Sequence, residues 1–275
     1  MPIYNQDLEA ALNAVYPYKP TSTFTGDMGI DINIWSVLDG TVAKVNKFGG
    51  GCEAAAGVDT DVWDDGAAQP VYPWPSSADI THISTPVDDA TMRNKTINVQ
   101  GLDTDWEEVS QNVNLDATNT TTAVALGTPL RRVFRMKVHA NVVAAQNIEV
   151  HNSANTTTYG VVTAGNNQTL MALYTVPEGK NAVITNYYAS VLNETNPNKT
   201  PLGTNVKLFA ADRLRNYEFQ LKHATGIPSE GDALSHHFNP YVGVFSRRTD
   251  LKLMMHCIGE PGTVYAGFDI FLVDL

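Results

Sequence analysis

Seven histidines, two cysteines and several close groups of carboxylates are the residues here with the chemistry for metal binding or acid–base work. His139 and His151 flank an expected hairpin, His236 and His237 are adjacent, and His256 stands beside Cys257. None has the HxxxH or CxxC spacing that places two ligands on one face. Adjacent strand residues point to opposite sides, so His236 and His237 do not chelate together if extended. Asp59, Asp61, Asp64 and Asp65 offer dense oxygen ligands, but the glycine and terminal glutamate of an EF-hand loop are missing. No metal and no cofactor is expected; the aspartate cluster stands as an alternative divalent-cation site without a catalytic part.

Glycoside cleavage needs two acids about 5–10 Å apart, and Glu107-Glu108 after Trp106 is the candidate pair. Trp106, Tyr187 and Tyr188 would then be the sugar-stacking platform. Acids and aromatics are common enough here that a charged strand edge explains the same pattern. No serine sits in a GxSxG turn, and no GxxxxGK[ST] or GxGxxG opens a helix. The chain is expected not to be an enzyme. Six sequons, beginning with Asn94 and Asn119, follow from composition.

The elements that would carry these residues are strands. Threonine and asparagine supply roughly 50 residues, a bias toward strands and turns. From Lys95 onward, about eleven β runs are separated by turn signals, among them Thr96–Gln100, Val109–Leu115, Val133–Val138, Ala182–Val191, Leu251–Cys257 and Thr263–Asp274. They predict an all-β fold: an antiparallel β-sandwich, of jelly-roll type, over residues 95–275. Residues 1–94 read as a long extended arm. Asp7 caps one short helix over about 7–16, which Pro17 stops. Beyond it, Pro20, Gly26, Gly29, Gly40, Gly49-Gly50-Gly51, Pro70, Pro73, Pro75 and Pro86 break the periodicity. Trp35, Phe48, Trp63 and Trp74 in this arm need a surface to cover, and are the expected interface anchors.

At 275 residues the chain buries roughly 75% of its unfolded surface, so stability needs neither metal nor disulfide. Cys52 and Cys257 read as buried thiols. The N-terminus is too polar for a signal peptide and no run approaches a membrane span, so maturation in a reducing cytoplasm is expected. Residues 51–116 hold thirteen acids against two bases, which is the whole of the net charge of −11. Nucleic acid is thereby disfavoured as a direct partner, because phosphate binding needs clustered Lys and Arg. A solvated acidic face and an acidic arm lying on a basic partner both account for the stretch.

Several local patterns together resemble a known group. Lys47-Phe48-Gly49, Asp61-Val62-Trp63-Asp64-Asp65-Gly66 and Tyr72-Pro73-Trp74-Pro75 look like the amino-terminal part of uncharacterised virion structural proteins of marine and environmental tailed bacteriophages. Gly101-Leu102-Asp103-Thr104-Asp105-Trp106, the run Gln168–Lys180 and Ala266–Ile270 are similar to its body. The resemblance covers most of the chain from Lys47. It implies a structural part of a phage particle, located in the virion and assembled in the host cytoplasm. It brings no catalytic residues.

Three functions compete at this point. The leading expectation is a capsid-associated decoration, or cement, protein that binds the major capsid protein and forms a homo-oligomer, most simply a trimer. The second keeps the virion and makes the protein a neck, collar or tail component, as adaptor or fibre. The third is a carbohydrate-binding module.

Overall fold

A computed structural model describes residues 42–52, 57–64, 71–139, 142–192, 202–216, 218–228, 233–238 and 243–275. The expected helix at about 7–16 and Trp35 lie outside the described residues. In chain order the strands are β1 Val42–Cys52, β2 Thr60–Asp61, β3 Ile80–Ser84, β4 Thr96–Leu102, β5 Glu108–Asn114, β6 Val124–Leu130, β7 Arg132–Val138, β8 Ile148–His151 and β9 Thr158–Val162. They continue as β10 Leu173–Thr175, β11 Lys180–Leu192, β12 Gly203–Asp212, β13 Gln220–Ile227, β14 Ala233–His237, β15 Val244–Phe245, β16 Thr249–Ile258 and β17 Thr263–Asp274. A 3₁₀ turn at Arg213–Arg215 follows β12, with the Asp212 carboxylate accepting from the Leu214 and Arg215 amides.

The all-β expectation holds among the described residues. Their strands form four sheets: β1-β17-β11-β14 with β15 on β11, β10-β16-β12-β13 with β2 on β16, β6-β3-β8-β9, and β5-β4-β7. A jelly roll has eight strands in two sheets, so the pairing supports the coarser reading, layered antiparallel sheets. Two ladders dominate. β11 pairs with β17 from Lys180↔Asp274 to Leu192↔Thr263, and β12 pairs with β16 from Gly203↔Ile258 to Asp212↔Thr249. A register shift between Ile184 and Asn186 leaves the Thr185 carbonyl to accept from the Phe238 amide.

Two hydrophobic cores lie within this body. One joins the two long ladders, with Ile184, Tyr187, Phe268 and Leu272 on one side and Leu208, Leu251, Leu253 and Met255 on the other. The second lies among the smaller sheets and contains Ile80, Ile83, Ile97, Val99, Leu130, Met136, Ile148 and Val150. Each fully buried aliphatic side chain contributes about 1.5–3 kcal/mol. Strand β16 is buried on both faces from Thr249 to Leu253, and β12 pairs with one of its edges and β10 and β2 with the other.

The compact unit that carries the sheets runs from Ala43 to Leu275, so residues 43–94 contribute β1, β2 and β3 to it. The glycine run that reads as a breaker lies inside β1, where it permits close approach. A Cβ at Gly49 would stand 2.5 Å from the Ala172 nitrogen and 2.6 Å from the Val62 oxygen. Gly101 in β4 is tighter still, with its Cβ position 2.0 Å from the Arg132 carbonyl oxygen, next to a register shift in the β4–β7 ladder. Gly101→Ala should therefore lower stability by about 1–3 kcal/mol, seen as a reduced urea midpoint at unchanged slope. An unchanged midpoint would show that the β4–β7 backbones separate there without strain.

Candidate functional site

Alternation along β16 places Asp250 and Lys252 on one face and Leu251 and Leu253 on the other. The leucines join the larger core, leaving two buried charges to satisfy. Arg132, at the start of β7, meets Asp250 bidentately: Nε donates to Oδ1 and Nη2 to Oδ2, both at 2.9 Å. Thr175, opposite Asp250 in the β10–β16 register, donates its hydroxyl to Oδ1 at 2.5 Å, and Arg213 donates to Oδ2 at 2.5 Å. The carboxylate is fully buried and accepts four hydrogen bonds. Arg132 spends its remaining Nη1 donors on the Pro75 and Arg131 carbonyls, at 2.6 and 2.8 Å.

Lys252 forms an ion pair with Asp61 of β2, Nζ to Oδ1 at 2.6 Å, an approach not aligned as a hydrogen bond. The second Asp61 oxygen accepts from the Tyr72 amide at 2.9 Å. Burial pushes the Asp61 carboxyl up, against the downward pull of Lys252. Around these charges runs an aromatic ladder: Trp63 to Tyr72 at 5.1 Å, Tyr72 to Trp74 at 4.9 Å and Trp74 to Phe219 at 5.3 Å. The Arg132 guanidinium lies 5.2 Å from the Trp74 ring, and Lys252 Nζ 4.6 Å from the Phe219 ring. The two described tryptophan anchors thus pack within their own chain. Trp63 is 2% exposed, and Trp74 is partly buried. Phe48, also partly buried, lies under the Arg135 guanidinium at 5.8 Å.

Trp106 has a structural setting as well. The Asp103 carboxylate accepts from the Asp105 and Glu107 amides, at 2.8 and 3.1 Å. This turn holds Trp106 at φ 68°. Its ring then meets the guanidiniums of Arg131, Arg132 and Arg248 at 4.9, 5.1 and 5.7 Å. Trp106 and Tyr187 are buried, so neither presents a ring face to a sugar. The Tyr188 hydroxyl accepts from Asn46.

The remaining polar candidates are dispersed. Asp59 pairs with Lys207 at 3.1 Å and with His256 at 3.0 Å; Asp64 accepts from Thr163; Asp65 lies outside the described residues. Among the described residues no three His, Cys, Asp or Glu side chains converge on a cation position. His139 is exposed. His151 is buried, its Nε2 at 2.9 Å from the Ser84 hydroxyl and its Nδ1 at 2.7 Å from the Asn152 carbonyl. His236 stacks on His223 at 4.7 Å, and His223 Nδ1 meets the Tyr187 hydroxyl at 2.9 Å. His237 lies near Ser235 on the opposite side of β14. Cys257 is buried, its sulfur accepting from the Thr204 hydroxyl.

One cavity has a composition that could do chemistry. It encloses about 240 Å³ where β1 meets β5, β7 and β10, and its lining includes Lys44, Lys47, Glu108, Phe134, Arg135 and Tyr174. Lys47 is 3% exposed and donates to the Phe134 carbonyl. Burial, reinforced by the Arg135 charge, holds its amine well below the usual lysine range. The Tyr174 hydroxyl donates to Glu108 at 3.2 Å, and burial foremost pushes that phenol up.

Sequence reasoning missed Arg132, Asp250, Lys252, Phe219 and Lys47. A signal existed for two of them: Thr249-Asp250-Leu251-Lys252-Leu253 alternates as a half-exposed strand would. The charged face meets Arg132, Arg213 and Asp61 of other chain segments rather than water.

Comparison with known proteins adds little. No protein-family model matches the chain, and no curated protein does. One solved structure overlapping it is described as infectious bursal disease virus, Gt strain; at 9% identity the alignment covers 85% of this chain and 73% of that one, with a TM-score of 0.19. Overlap at that TM-score carries no argument about fold or role.

Two outcomes follow from the charges. Asp250→Asn leaves Arg132 and Arg213 facing a neutral amide and should destabilise by about 3–5 kcal/mol, measured by urea unfolding; a loss below about 1 kcal/mol, the scale of a surface ion pair, would show that the pair is not needed. His151 and His223 are both held below the usual imidazole range, first by burial and then by a neighbouring histidine's charge. For a base depressed in the folded state, the contribution is complete above the unfolded value near 6.5 and is lost as pH falls from there toward the folded value. The urea midpoint should accordingly drop between about pH 7 and 5, and His223→Gln should flatten part of the drop. A midpoint constant across that window would contradict this assignment.

Proposed function

We propose that the protein is a structural component of a tailed-phage virion, a capsid-associated decoration protein acting as a homo-oligomer, with a trimer the simplest case. The observation that carries the reading is the use to which its charged and aromatic residues are put. Arg132, Asp250, Lys252 and Asp61, with the ladder from Trp63 to Phe219, are buried against one another and tie separate chain segments together. Such saturation suits a part that must hold its shape under load more than a site that must open to substrate. The motif resemblance to virion proteins supports the same class, and the acidic excess of residues 51–116 provides complementarity to a basic partner surface. In this reading the layered sheets, jelly-roll-like in their packing role, face the particle and the neighbouring copies.

Trp63 and Trp74 are engaged within the chain, so truncating them reports stability rather than docking. The direct test is quantitative mass spectrometry of purified particles scaled to the major capsid protein. A decoration role requires an abundance comparable with that of the capsid subunit. A few copies per particle would transfer the protein to a neck or tail ring, and absence from the particle would remove the virion reading altogether.

A further inference from the structure

We propose that the cavity between β1 and the β5, β7 and β10 strands binds a small 2-oxo acid, with Lys47 as the amine that captures its carbonyl and Arg135 as the partner of its carboxylate. This inference does not depend on the virion reading. It starts from an unusual placement: a lysine 3% exposed and lining a cavity, with no carboxylate among the described residues bonded to its amine. Its hydrogen bond goes to the neutral Phe134 carbonyl. A lysine so placed favours the neutral form, the direction burial and the Arg135 charge both enforce. Neutral, it donates an N–H to that carbonyl and retains a lone pair. Desolvation beside a second cation is the arrangement by which lysines become nucleophiles toward carbonyls.

The rest of the lining selects the ligand. Arg135 gives one N–H to the Asn46 carbonyl at 2.8 Å, and its planar fork has further donors suited to a carboxylate. Lys44, with half of its side chain exposed and its amine 3.9 Å from the Asp269 carboxylate, is a further cation on the lining. Glu108 and Tyr174 form a hydrogen-bonded pair on the same cavity. The volume of about 240 Å³ corresponds to about eight water molecules, the scale of a three- or four-carbon acid.

The chemistry balances without an external oxidant or reductant. The Lys47 nitrogen lone pair attacks the carbonyl carbon, the C=O π pair moves to oxygen, and one proton passes from nitrogen to that oxygen. Loss of the hydroxyl with a second proton releases water and leaves the imine; Glu108 is the acid on this cavity able to relay those protons. The product is a reversible adduct.

The test incubates the full-length protein with pyruvate and sodium cyanoborohydride near neutral pH, then maps the reduced adduct by peptide mass spectrometry. Propanal, of the same carbon count and without a carboxylate, runs in parallel. Pyruvate is expected to label Lys47 ahead of the exposed Lys44 and Lys222, and propanal to label it less. Arg135→Gln should lose most of the pyruvate label at Lys47 while keeping the propanal label. Label spread over Lys44 and Lys222 with Lys47 unmodified would overturn the proposal. Equal labelling by pyruvate and propanal, or pyruvate labelling unchanged in Arg135→Gln, would overturn the choice of an oxo acid. Lys47→Arg, checked for folding by its urea midpoint, should lose the adduct; because the wild-type map decides by itself, failure of that variant to fold leaves the test intact.

Discussion

A carboxylate cannot remain charged inside a β-strand buried on both faces unless every lone pair is answered, and Asp250 imposes that condition on the whole molecule. The answers come from three places: Arg132 at the head of β7, Thr175 on β10 and Arg213 in the turn after β12; Lys252 with Asp61 carries the same polar layer one pair further along β16. Segments far apart in sequence must converge for one charge to be tolerated. Buried ion pairs contribute little net stability compared with well-packed apolar replacements, yet breaking one partner is expensive. What the Asp250 site supplies is therefore the arrangement of its neighbours: β7 of the smaller core can meet β16 of the larger one only where the guanidinium and carboxylate forks align.

That constraint accounts for residues 71–79, which lead into β3. Tyr72 is held by its amide on Asp61, Pro75 by its carbonyl on Arg132, and Ser76 by its carbonyl on Arg131. Between these fastenings the rings of Tyr72 and Trp74 complete the ladder to Phe219. A stretch with little strand character is thereby ordered by polar contacts with its backbone and by the packing of its rings. Trp106 works in the same layer from the other side, filling the space among three arginines that would otherwise repel one another.

Legibility in the sequence tracked local information. Val133–Val138 lies within β7 and Thr263–Asp274 forms β17 over the residues that the pattern marks, because alternation and turn residues specify them locally. β6 escaped because Gly127 and Pro129 interrupt it, which an edge strand tolerates. The alternating run Thr41–Val45 marks the start of β1, but its continuation escaped because three glycines read as a break, whereas Gly49 and Gly51 make room for the Ala172 and Val62 backbones and Gly50 for the Tyr265 ring. The chemistry was less legible still. Candidate residues were sought by sequence spacing, while Arg132 and Asp250 are 118 positions apart and Lys47 acquires its character only from the burial that tertiary packing creates. Trp63 and Trp74, read as interface anchors, pack in this fold against Tyr72 and Phe219 of their own chain.

If the Asp250 site couples the two cores, they must open together. Native-state hydrogen exchange in rising urea measures this directly on the full chain. The account predicts that the amides of Ile97 and Val99 in the smaller core, and of Ile184 and Phe268 in the larger, converge on one opening free energy with one urea dependence. Two separate isotherms, with the smaller core exchanging through its own lower-energy opening, would contradict it and leave the Arg132–Asp250 pair a local contact between independently stable halves.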